Sequence, residues 1–353
     1  MVLRVLGIVI ALLLIAIGLL WSQSSLEPDV WVPEPNPGLT GVFATNQALN
    51  ALQPLLQDEG LGPEDIAVGP DGWLYTGYRD GRIVRFKKDG RTEAIVNTGG
   101  VPLGLAFDLS GNLLVADATL GLLSVSKDRK ITTLVNSVEG QPVLFADGVD
   151  VARDGSIWFS DASADFDYDN HLLIFLDGRA NGRLIRYDPV TKESSVVLHD
   201  LFFANGVAIA ADDSYVLVNE TAAGRIRRFW RSGPKAGTAD VFIGGLPGVP
   251  DNIRRDASGR FWVGLAGLRD PALDRLAPFK FIRRLLGGLS KSAIAPHNDR
   301  AMIIALDDEG RVLANLQAAP SPYATSTGAV FYNGSLFICS LQAAAIGEMP
   351  YQR

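Results

Sequence analysis

The sequence is poor in the residues that most often carry metal and redox chemistry. Its 353 residues contain one cysteine, Cys339, and three histidines, His171, His199 and His297. A lone cysteine cannot form a disulfide within the chain, so the fold must be held by its core. A zinc site is also disfavoured, because the three histidines lie far apart in sequence.

An excess of positive charge is absent as well. The formal net charge is −7, and only 20% of the residues are charged. A nucleic-acid partner needs a basic face that neutralises phosphates, so no such partner is expected. Apolar residues make up 47% of the chain, which is typical of a globular body with a well-packed core.

Several familiar catalytic motifs are missing. The chain has no Gly-x-Ser-x-Gly elbow, no His-Glu-x-x-His pair and no P-loop. The acidic run from Asp165 to Asn170 resembles the start of an EF-hand loop, but it lacks the glycine and closing glutamate of that motif. We interpret this run as a solvated insertion.

The N-terminus carries the one long apolar run. Val5 to Trp21 is 17 residues long, which is short for a bilayer span and long for the apolar core of a signal peptide. No Ala-x-Ala cleavage site follows, so we favour an uncleaved signal anchor over residues 1–24. The alternative is a cleaved signal peptide and a secreted protein. Arg4 precedes the run and the next basic residue is Arg79, which predicts a body on the extracytoplasmic side.

A segment of similar sequence recurs along the rest of the chain. Each copy is a short β-prone run, a turn with Gly or Asp, and a second β-prone run, as in Ile66 to Gly77. The copies begin at residues 66, 105, 149, 207, 253 and 329. Units of about 40 residues with several short strands are typical of a β-propeller. The sequence therefore predicts an all-β, six-bladed propeller.

The repeat also predicts the domain organisation. A proline-rich linker over residues 25–40 leads from the anchor into a propeller over 41–353. The last copy is too short for four strands, so a segment near Leu52 to Leu56 is expected to complete its outer edge. The longest gaps predict insertions at about 162–181 and 267–297.

One position of the repeat is rich in oxygen ligands. Two residues before each inner strand lie Glu64, Leu103, Asp147, Asn205, Asp251 and Thr327. Inner strands line the central channel of a propeller, so these six side chains are expected to converge at one mouth. Four of them are Glu, Asp or Asn, and Asn252 lies beside the fifth position.

Such a cluster needs a cation. Three carboxylates at one mouth repel one another strongly unless a positive charge is present. Ca²⁺ prefers six to eight oxygen ligands, and Glu64, Asp147, Asn205, Asp251 and Asn252 would supply several of them. The alternative is that these residues only cap turns, because Asp and Asn are common there.

The second insertion contains an amphipathic stretch. Between Leu273 and Leu289, apolar residues recur at helical spacing with Arg and Lys between them. Such a helix could lie on an anionic membrane surface, or it could pack on the blades. The sequence leaves both open.

Four segments of the sequence resemble those of a known protein family, and they are Gly62 to Ala67, Pro102 to Gly104, Asn205 to Val207 and Pro247 to Ile253. Together they resemble the strictosidine synthase-like and adipocyte plasma-membrane-associated protein family, over about residues 40–350. The wider group includes calcium-dependent propeller hydrolases such as paraoxonases, gluconolactonases and diisopropylfluorophosphatase. The resemblance implies a catalytic Ca²⁺ held by the five oxygen-bearing residues named above, with an aspartate at 147 where relatives usually have asparagine.

The chain also departs from its relatives. Paraoxonases have a histidine where this sequence has Leu103, and strictosidine synthase has its catalytic glutamate near Thr327. No acid lies from Gln317 to Asn333, so condensation of an amine with an aldehyde is not expected. We predict instead a hydrolase of esters or lactones, with phosphotriesters as a further class. Asp251 would act as base or nucleophile, and Leu103 and Thr327 would shape the substrate wall.

A second hypothesis belongs to a different class. The chain would then be a propeller that binds a partner, with Ca²⁺ as a structural ion. The missing histidine and the acid-poor sixth blade favour this alternative.

Overall fold

A computed structural model describes residues 2–295 and 297–352 of the chain. The described residues form 26 strands and several helices. The strands are β1 (Gln53–Leu55), β2 (Ile66–Val68), β3 (Leu74–Gly77), β4 (Arg82–Phe86), β5 (Thr92–Asn97), β6 (Pro102–Phe107), β7 (Leu113–Asp117), β8 (Gly121–Val125), β9 (Ile131–Val135), β10 (Ser137–Val138), β11 (Gln141–Pro142), β12 (Ala146–Val151), β13 (Ile157–Asp161), β14 (Gly182–Asp188), β15 (Glu193–Leu201), β16 (Ala204–Ile209), β17 (Tyr215–Glu220), β18 (Arg225–Trp230), β19 (Ala239–Ile243), β20 (Gly248–Arg255), β21 (Phe261–Leu268), β22 (Ala301–Leu306), β23 (Val312–Ala318), β24 (Ser326–Tyr332), β25 (Ser335–Ser340) and β26 (Ile346–Pro350).

These strands form six four-stranded antiparallel sheets, which confirms the predicted six-bladed propeller. Blades 1 to 5 are the consecutive sets β2–β5, β6–β9, β12–β15, β16–β19 and β20–β23. The pair β10–β11 is a small separate hairpin. Blade 6 has the order β1–β26–β25–β24, so its outer strand comes from the start of the propeller sequence.

The closing strand lies where the sequence predicts it. Gln53 pairs with Glu348, and Leu55 pairs with Ile346, in antiparallel register. The edge of β26 is therefore covered by another strand of the same chain, which protects it from pairing with a second molecule.

Apolar side chains between neighbouring blades form the core. Ile83 and Tyr75 of blade 1 pack with Leu105 and Val115 of blade 2, and all four are buried. The strands carry apolar residues on both faces because each sheet is covered by a blade on either side. Comparable clusters join the other blades, so the propeller is stabilised chiefly by contacts between sheets.

A buried acid recurs at the end of the second strand in three blades. Asp117, Asp161 and Glu220 each accept a main-chain N–H from the segment that precedes the inner strand of the same blade. These buried carboxylates fix the approach of each inner strand to the channel. Asp161 is further paired with Arg183, and Glu220 with Arg225.

A second compact unit, called here the helical unit, consists of the N-terminal residues up to Pro33 together with Asp169–Arg179 and Asp270–His297. Its helices are α1 (Val2–Gln23), α2 (His171–Asp177), α3 (Pro271–Leu276), α4 (Lys280–Gly287) and α5 (Lys291–Ile294). Short 3-10 turns lie at Gly41–Phe43, Ala48–Ala51, Tyr168–Asn170 and Thr221–Ala223.

The helical unit corrects one expectation. The sequence predicts one helix from Leu273 to Leu289, whereas the structure has two helices that are separated near Pro278. Pro278 lacks the amide hydrogen that would continue the helical hydrogen bonds, which ends α3. In the first insertion, Asp165, Asp167 and Asp169 of the acidic run are exposed, and α2, which follows the run, buries Ile174 and Leu176.

Candidate metal centre

The repeat position that the sequence predicts to carry the metal ligands coincides with a β-bulge in several blades. In blade 3 the inner strand takes three steps from Ala146 to Val149, while its neighbour takes two from Asp161 to Phe159. The same irregularity occurs in blades 4, 5 and 6, before Val207, Ile253 and Ala329 respectively. A bulge leaves an extra residue outside the ladder and redirects its side chain. In each of these four blades the residue at the predicted position lies within the bulge, and these residues are Asp147, Asn205, Asp251 and Thr327.

Glycines let these bulges approach one another closely. A Cβ atom added to Gly148 would lie 2.8 Å from the carbonyl oxygen of Asn205, and one added to Gly206 would lie 2.6 Å from that of Asp251. Larger residues at these positions would therefore push neighbouring inner strands apart. The dipeptides Asp147-Gly148 and Asn205-Gly206 thus combine a polar side chain with tight packing around the channel.

The five predicted ligands are brought together and buried. Glu64, Asp147 and Asp251 each place a carboxylate oxygen within 4.8 Å of the others. The exposed fraction of Glu64, Asp147, Asn205, Asp251 and Asn252 is between 2% and 5%. The assignment of these residues as metal ligands remains a prediction, but their convergence in one cluster is a feature of the fold.

Hydrogen bonds within the cluster leave several oxygens without partners. The amide of Asn252 donates to Oε1 of Glu64 at 2.7 Å and to the main-chain oxygen of the same residue at 3.1 Å. Among the residues that the structure describes, Glu64 Oε2, Asp147 Oδ1 and Asn205 Oδ1 are buried without a hydrogen-bond partner. Buried polar atoms are nearly always satisfied, so three unpartnered oxygens here indicate room for a cation.

The electrostatics agree with that interpretation. Burial raises the pKa of Glu64 and Asp147 well above the usual range, and repulsion from neighbouring carboxylates raises them further. Burial also raises the pKa of Asp251 to about 7, although hydrogen bonds with Asn205 and Glu64 oppose the shift. Without a cation, these groups favour protonation; with one, they can remain ionised.

The two predicted wall residues lie beside the cluster in different ways. Leu103 is buried within the inner strand of blade 2. Thr327 is fully buried, and its hydroxyl donates to the main-chain oxygen of Glu64 at 2.6 Å. Thr327 therefore fixes the chain at Glu64, while a role of either residue in contacting substrate remains a prediction.

Two supporting residues were not identified from the sequence. The amide of Asn219 donates to the main-chain oxygen of Asp251 at 2.5 Å, and the Thr221 hydroxyl donates to that of Pro250 at 2.7 Å. Both side chains come from the second strand of blade 4 and its end, and they fix the bulge of blade 5. The signal available was the polar run Asn219-Glu220-Thr221 at the end of an apolar strand.

Sequence reasoning also missed Arg254. Its guanidinium bonds to both carboxylate oxygens of Asp65 and to the main-chain oxygens of Leu105 and Val149. One side chain from blade 5 thus joins blades 1, 2 and 3 across the channel. Asp65 also accepts the N–H groups of Ile66 and Leu105, so its charge is fully engaged. The charge of Glu64, Asp147 and Asp251 is not balanced in this way.

Comparison with known families supports the sequence resemblance. The strictosidine synthase family model matches residues 147–234. The model of the strictosidine synthase-like N-terminal region matches residues 41–86. Together these matches include three of the five predicted ligands, Glu64, Asp147 and Asn205, whereas Asp251 and Asn252 of blade 5 lie outside them.

Full-length relatives extend the match. The chain is 37% identical to strictosidine synthase-like protein 13 of Arabidopsis thaliana, over 74% of this chain and 73% of the relative. It is 32% identical to the adipocyte plasma membrane-associated protein of Rattus norvegicus, over 94% of each chain. The second alignment covers nearly the whole of both proteins.

Solved structures agree on the fold. A gluconolactonase from Xanthomonas campestris superposes with a TM-score of 0.62 at 18% identity, over 93% of this chain and 99% of that chain. Regucalcin from Agrobacterium tumefaciens, described as a calcium-binding protein, gives a TM-score of 0.57 at 15% identity, over 91% and 95%. At these identities the likeness concerns the architecture alone.

Proposed function

The chain belongs to the strictosidine synthase-like family, and on this premise we propose that it is a membrane-anchored, calcium-dependent hydrolase of esters or lactones. Phosphotriesters are a further substrate class of the same chemistry. The observation that carries the proposal is the cluster of Glu64, Asp147 and Asp251, buried and within 4.8 Å of one another. The gluconolactonase of similar fold supports lactones as the first substrates to examine.

The donor set fits calcium better than other common metals. It consists of carboxylate and amide oxygens, which are the ligands that Ca²⁺ prefers, and the unpartnered oxygens belong to Glu64, Asp147 and Asn205. Asp251 and Asn252 would complete the protein ligands. When bound, Ca²⁺ would polarise a carbonyl or phosphoryl oxygen as a Lewis acid. The protein would hold the ion and orient the substrate against it.

Asp251 is the residue proposed to act on the substrate, either as a base toward an attacking water or as the nucleophile. Its carboxylate is buried and lies within 4.8 Å of those of Glu64 and Asp147, so it is placed at the proposed ion, where a base or nucleophile must act. Asn205 hydrogen-bonds to this carboxylate, and Asn219 holds the main chain behind it. These contacts would keep Asp251 in one orientation during turnover.

The acid chemistry of strictosidine synthase is not part of this proposal. No acidic residue lies from Gln317 to Asn333, and the hydroxyl of Thr327 already donates to Glu64. Residue 103 is a leucine, so the proton-relay histidine of paraoxonases is absent at that position. The residues present would support hydrolysis that uses only a cation and one carboxylate.

Membrane anchoring through α1 is the second part of the proposal. α1 has 22 residues, is apolar throughout except for Arg4 and its last turn, and is long enough to span a bilayer. Just after it, Ser24 and Leu26 are buried, and Leu26 lies close to Gly287 of α4. We favour an uncleaved anchor over a secreted form, because no Ala-x-Ala cleavage site follows the apolar run. The position of Arg4 supports a body on the extracytoplasmic side.

One observation favours the second candidate, a partner-binding propeller with a structural ion. Every proposed ligand is at most 5% exposed, so the cluster offers little surface to a substrate. Such an ion would balance the three carboxylates and hold blades 1, 3, 4 and 5 together. The two candidates agree on the ion and differ on turnover.

The deciding experiment measures arylesterase and lactonase turnover by the purified full-length chain in detergent, first with Ca²⁺ and then with EDTA. Turnover that EDTA abolishes and Ca²⁺ restores is the expected result. No turnover, together with a melting temperature that EDTA still lowers, would favour the partner-binding candidate. If EDTA changes neither property, the calcium site itself is wrong.

A variant pair tests the role of Asp251. Asp251→Asn should abolish turnover and weaken Ca²⁺ binding far less. Asp188→Asn, on a hairpin of blade 3 and paired with Arg186, is the matched control and should leave turnover unchanged. Equal turnover by Asp251→Asn and the wild type would remove Asp251 from the reaction.

A further inference from the structure

Positive charge is concentrated in one part of the acidic chain. Residues 270–297 carry five basic and two acidic side chains, although the whole chain has a net charge of −7. The basic residues are Arg275, Lys280, Arg283, Arg284 and Lys291. A local cationic segment on an acidic protein points to an anionic partner.

This segment packs against the end of the apolar helix α1. The ring centroids of Trp21 in α1 and Phe281 in α4 are 5.3 Å apart. The guanidinium of Arg284 lies 4.2 Å from the centroid of the Trp21 ring. The surface of α4 is therefore continuous with that of α1, at the end of α1 where a membrane-spanning helix would leave the bilayer.

Apolar side chains are exposed in the same place. Phe279, Phe281 and Ile282 have exposed fractions of 53%, 55% and 41%, and Leu289 is exposed to 37%. Lys280 and Arg275 are exposed on the same segment, and Lys280 pairs with Asp29 at 2.7 Å. Aromatic and aliphatic groups beside exposed cations are typical of a helix that lies in the headgroup region of a bilayer.

Arg283 holds this surface in a fixed arrangement. Its side chain is fully buried and donates to the main-chain oxygens of Leu176 at 2.8 Å and Ala277 at 2.9 Å. Its guanidinium also lies 4.5 Å from the ring of Trp31. One cation thus joins α2, α4 and the segment after α1, so α4 cannot turn freely about its axis.

We propose that α4 and the residues beside it form a second membrane contact, which lies in the headgroup region of an anionic bilayer next to the emerging end of α1. The proposal rests on the proposed anchoring by α1. Phe279, Phe281 and Ile282 would enter the boundary between headgroups and acyl chains, and Lys280 and Arg275 would bind lipid phosphates. The continuity with α1 and the positive charge favour a lipid surface over a protein partner.

The test uses the full-length chain in nanodiscs of phosphatidylcholine with about 30% phosphatidylglycerol, which supplies the anionic lipid surface. A fluorescent label on Ile282→Cys is compared with one on Val190→Cys, an exposed hairpin position of blade 3 that is 86% exposed. Cys339 is buried and should stay unlabelled in the folded protein. A nitroxide on the lipid headgroup should quench the label at 282 at least twofold more than the label at 190.

A second arm examines the charge. In Lys280→Gln/Arg275→Gln, quenching at 282 should fall toward the level seen in nanodiscs of phosphatidylcholine alone. Quenching at 282 that equals quenching at 190 would overturn the proposal. So would efficient disulfide formation between two Ile282→Cys chains without quenching, because it would assign the surface to a second copy.

Failure of the anchor is measured separately. Resistance of the protein to extraction from membranes at alkaline pH reports the insertion of α1. Extraction of the wild type would contradict anchoring itself, whereas a resistant protein with an unquenched label at 282 would contradict only the second contact.

Discussion

The amide nitrogen of Asn252 lies 2.7 Å from Oε1 of Glu64, and 3.1 Å from the main-chain oxygen of the same residue. One side chain of blade 5 thus fixes both the main chain and the carboxylate of blade 1. Oε2 of Glu64 is left without a hydrogen-bond partner. The orientation of the proposed ligand Glu64 therefore depends on a residue almost two hundred positions away in sequence.

Removal of the Asn252 amide should weaken Ca²⁺ binding for two reasons. Asn252→Ala deletes a proposed ligand and leaves the Oε1 atom of Glu64 without a donor. We expect the Ca²⁺ dissociation constant to rise at least about tenfold, as measured by isothermal titration calorimetry. Asn112→Ala, whose amide binds Asp108 at a surface turn, is the matched control and should bind as the wild type does. Equal affinities for both variants would contradict the prediction.

Neutralising one carboxylate should have opposite effects with and without the ion. Burial raises the pKa of Asp147, and repulsion from Asp251 raises it further. In EDTA, Asp147→Asn should therefore raise the free energy of unfolding, on the order of 1 kcal/mol, because repulsion is relieved. In saturating Ca²⁺ it should lower the melting temperature relative to the wild type. Chemical denaturation in both buffers tests this reversal, and a change of the same sign in both would argue against a cation site.

The metal-free protein should lose stability as the pH rises. The pKa of Asp251 is raised to about 7 in the folded state, from an ordinary value of 3.8, and those of Glu64 and Asp147 are raised as well. The folded state then binds more protons than the unfolded state between about pH 4 and 7, so the stabilisation is complete below pH 4 and is lost through pH 7. Each proton of difference is worth about 1.4 kcal/mol per pH unit.

Calcium should reverse this dependence, because protons compete with the ion for the same oxygens. Melting temperatures in EDTA and in Ca²⁺, taken from pH 5 to 8, measure both slopes. The variant Asp251→Asn should show a shallower slope in EDTA. A wild-type melting temperature in EDTA that increases over this range would contradict the raised pKa values.

The ion pair of Arg254 and Asp65 should be required for the fold. Asp65 is 2% exposed at its side chain and Arg254 is 17% exposed, so Arg254→Met leaves a buried carboxylate without its cation. We expect a loss of about 3–5 kcal/mol in the free energy of unfolding, since a buried unpaired charge is costly. Adding Asp65→Asn should restore part of that loss. The surface pair of Arg91 and Asp89 provides the control, because Arg91→Met should cost less than about 1 kcal/mol.

The sequence contains most of the information about the blades. Each turn between inner and second strand has Gly or Asp at a fixed place, as in Asp154-Gly155, and short apolar runs follow at constant distances. These are local signals, so the six blades, the closing strand and the cluster of Glu64, Asp147 and Asp251 follow from counting along the repeat. The roles of Asn219 and Thr221, which hold the bulge of blade 5, do not follow from the repeat, because their partners lie in a different blade.

Two other features show the same limit. Arg254 has the sequence context of an ordinary strand residue, and only the closed ring brings Asp65 and the carbonyl of Leu105 within its reach. The association of 169–179 and 270–297 with the N-terminal helix likewise depends on contacts between distant segments. The break at Pro278, by contrast, was readable from the sequence, because the helical spacing of leucines continues across a residue that ends a helix.

The pairing of Gln53–Leu55 with Ile346–Pro350 has a consequence for biosynthesis. The outer strand of blade 6 is translated before every other strand of the propeller, and its partner β26 is translated after all the others. Until β26 has emerged from the ribosome, the early strand has no sheet to join, and the ring stays open. The channel and its carboxylates can therefore reach their final arrangement only after all six blades have been synthesised.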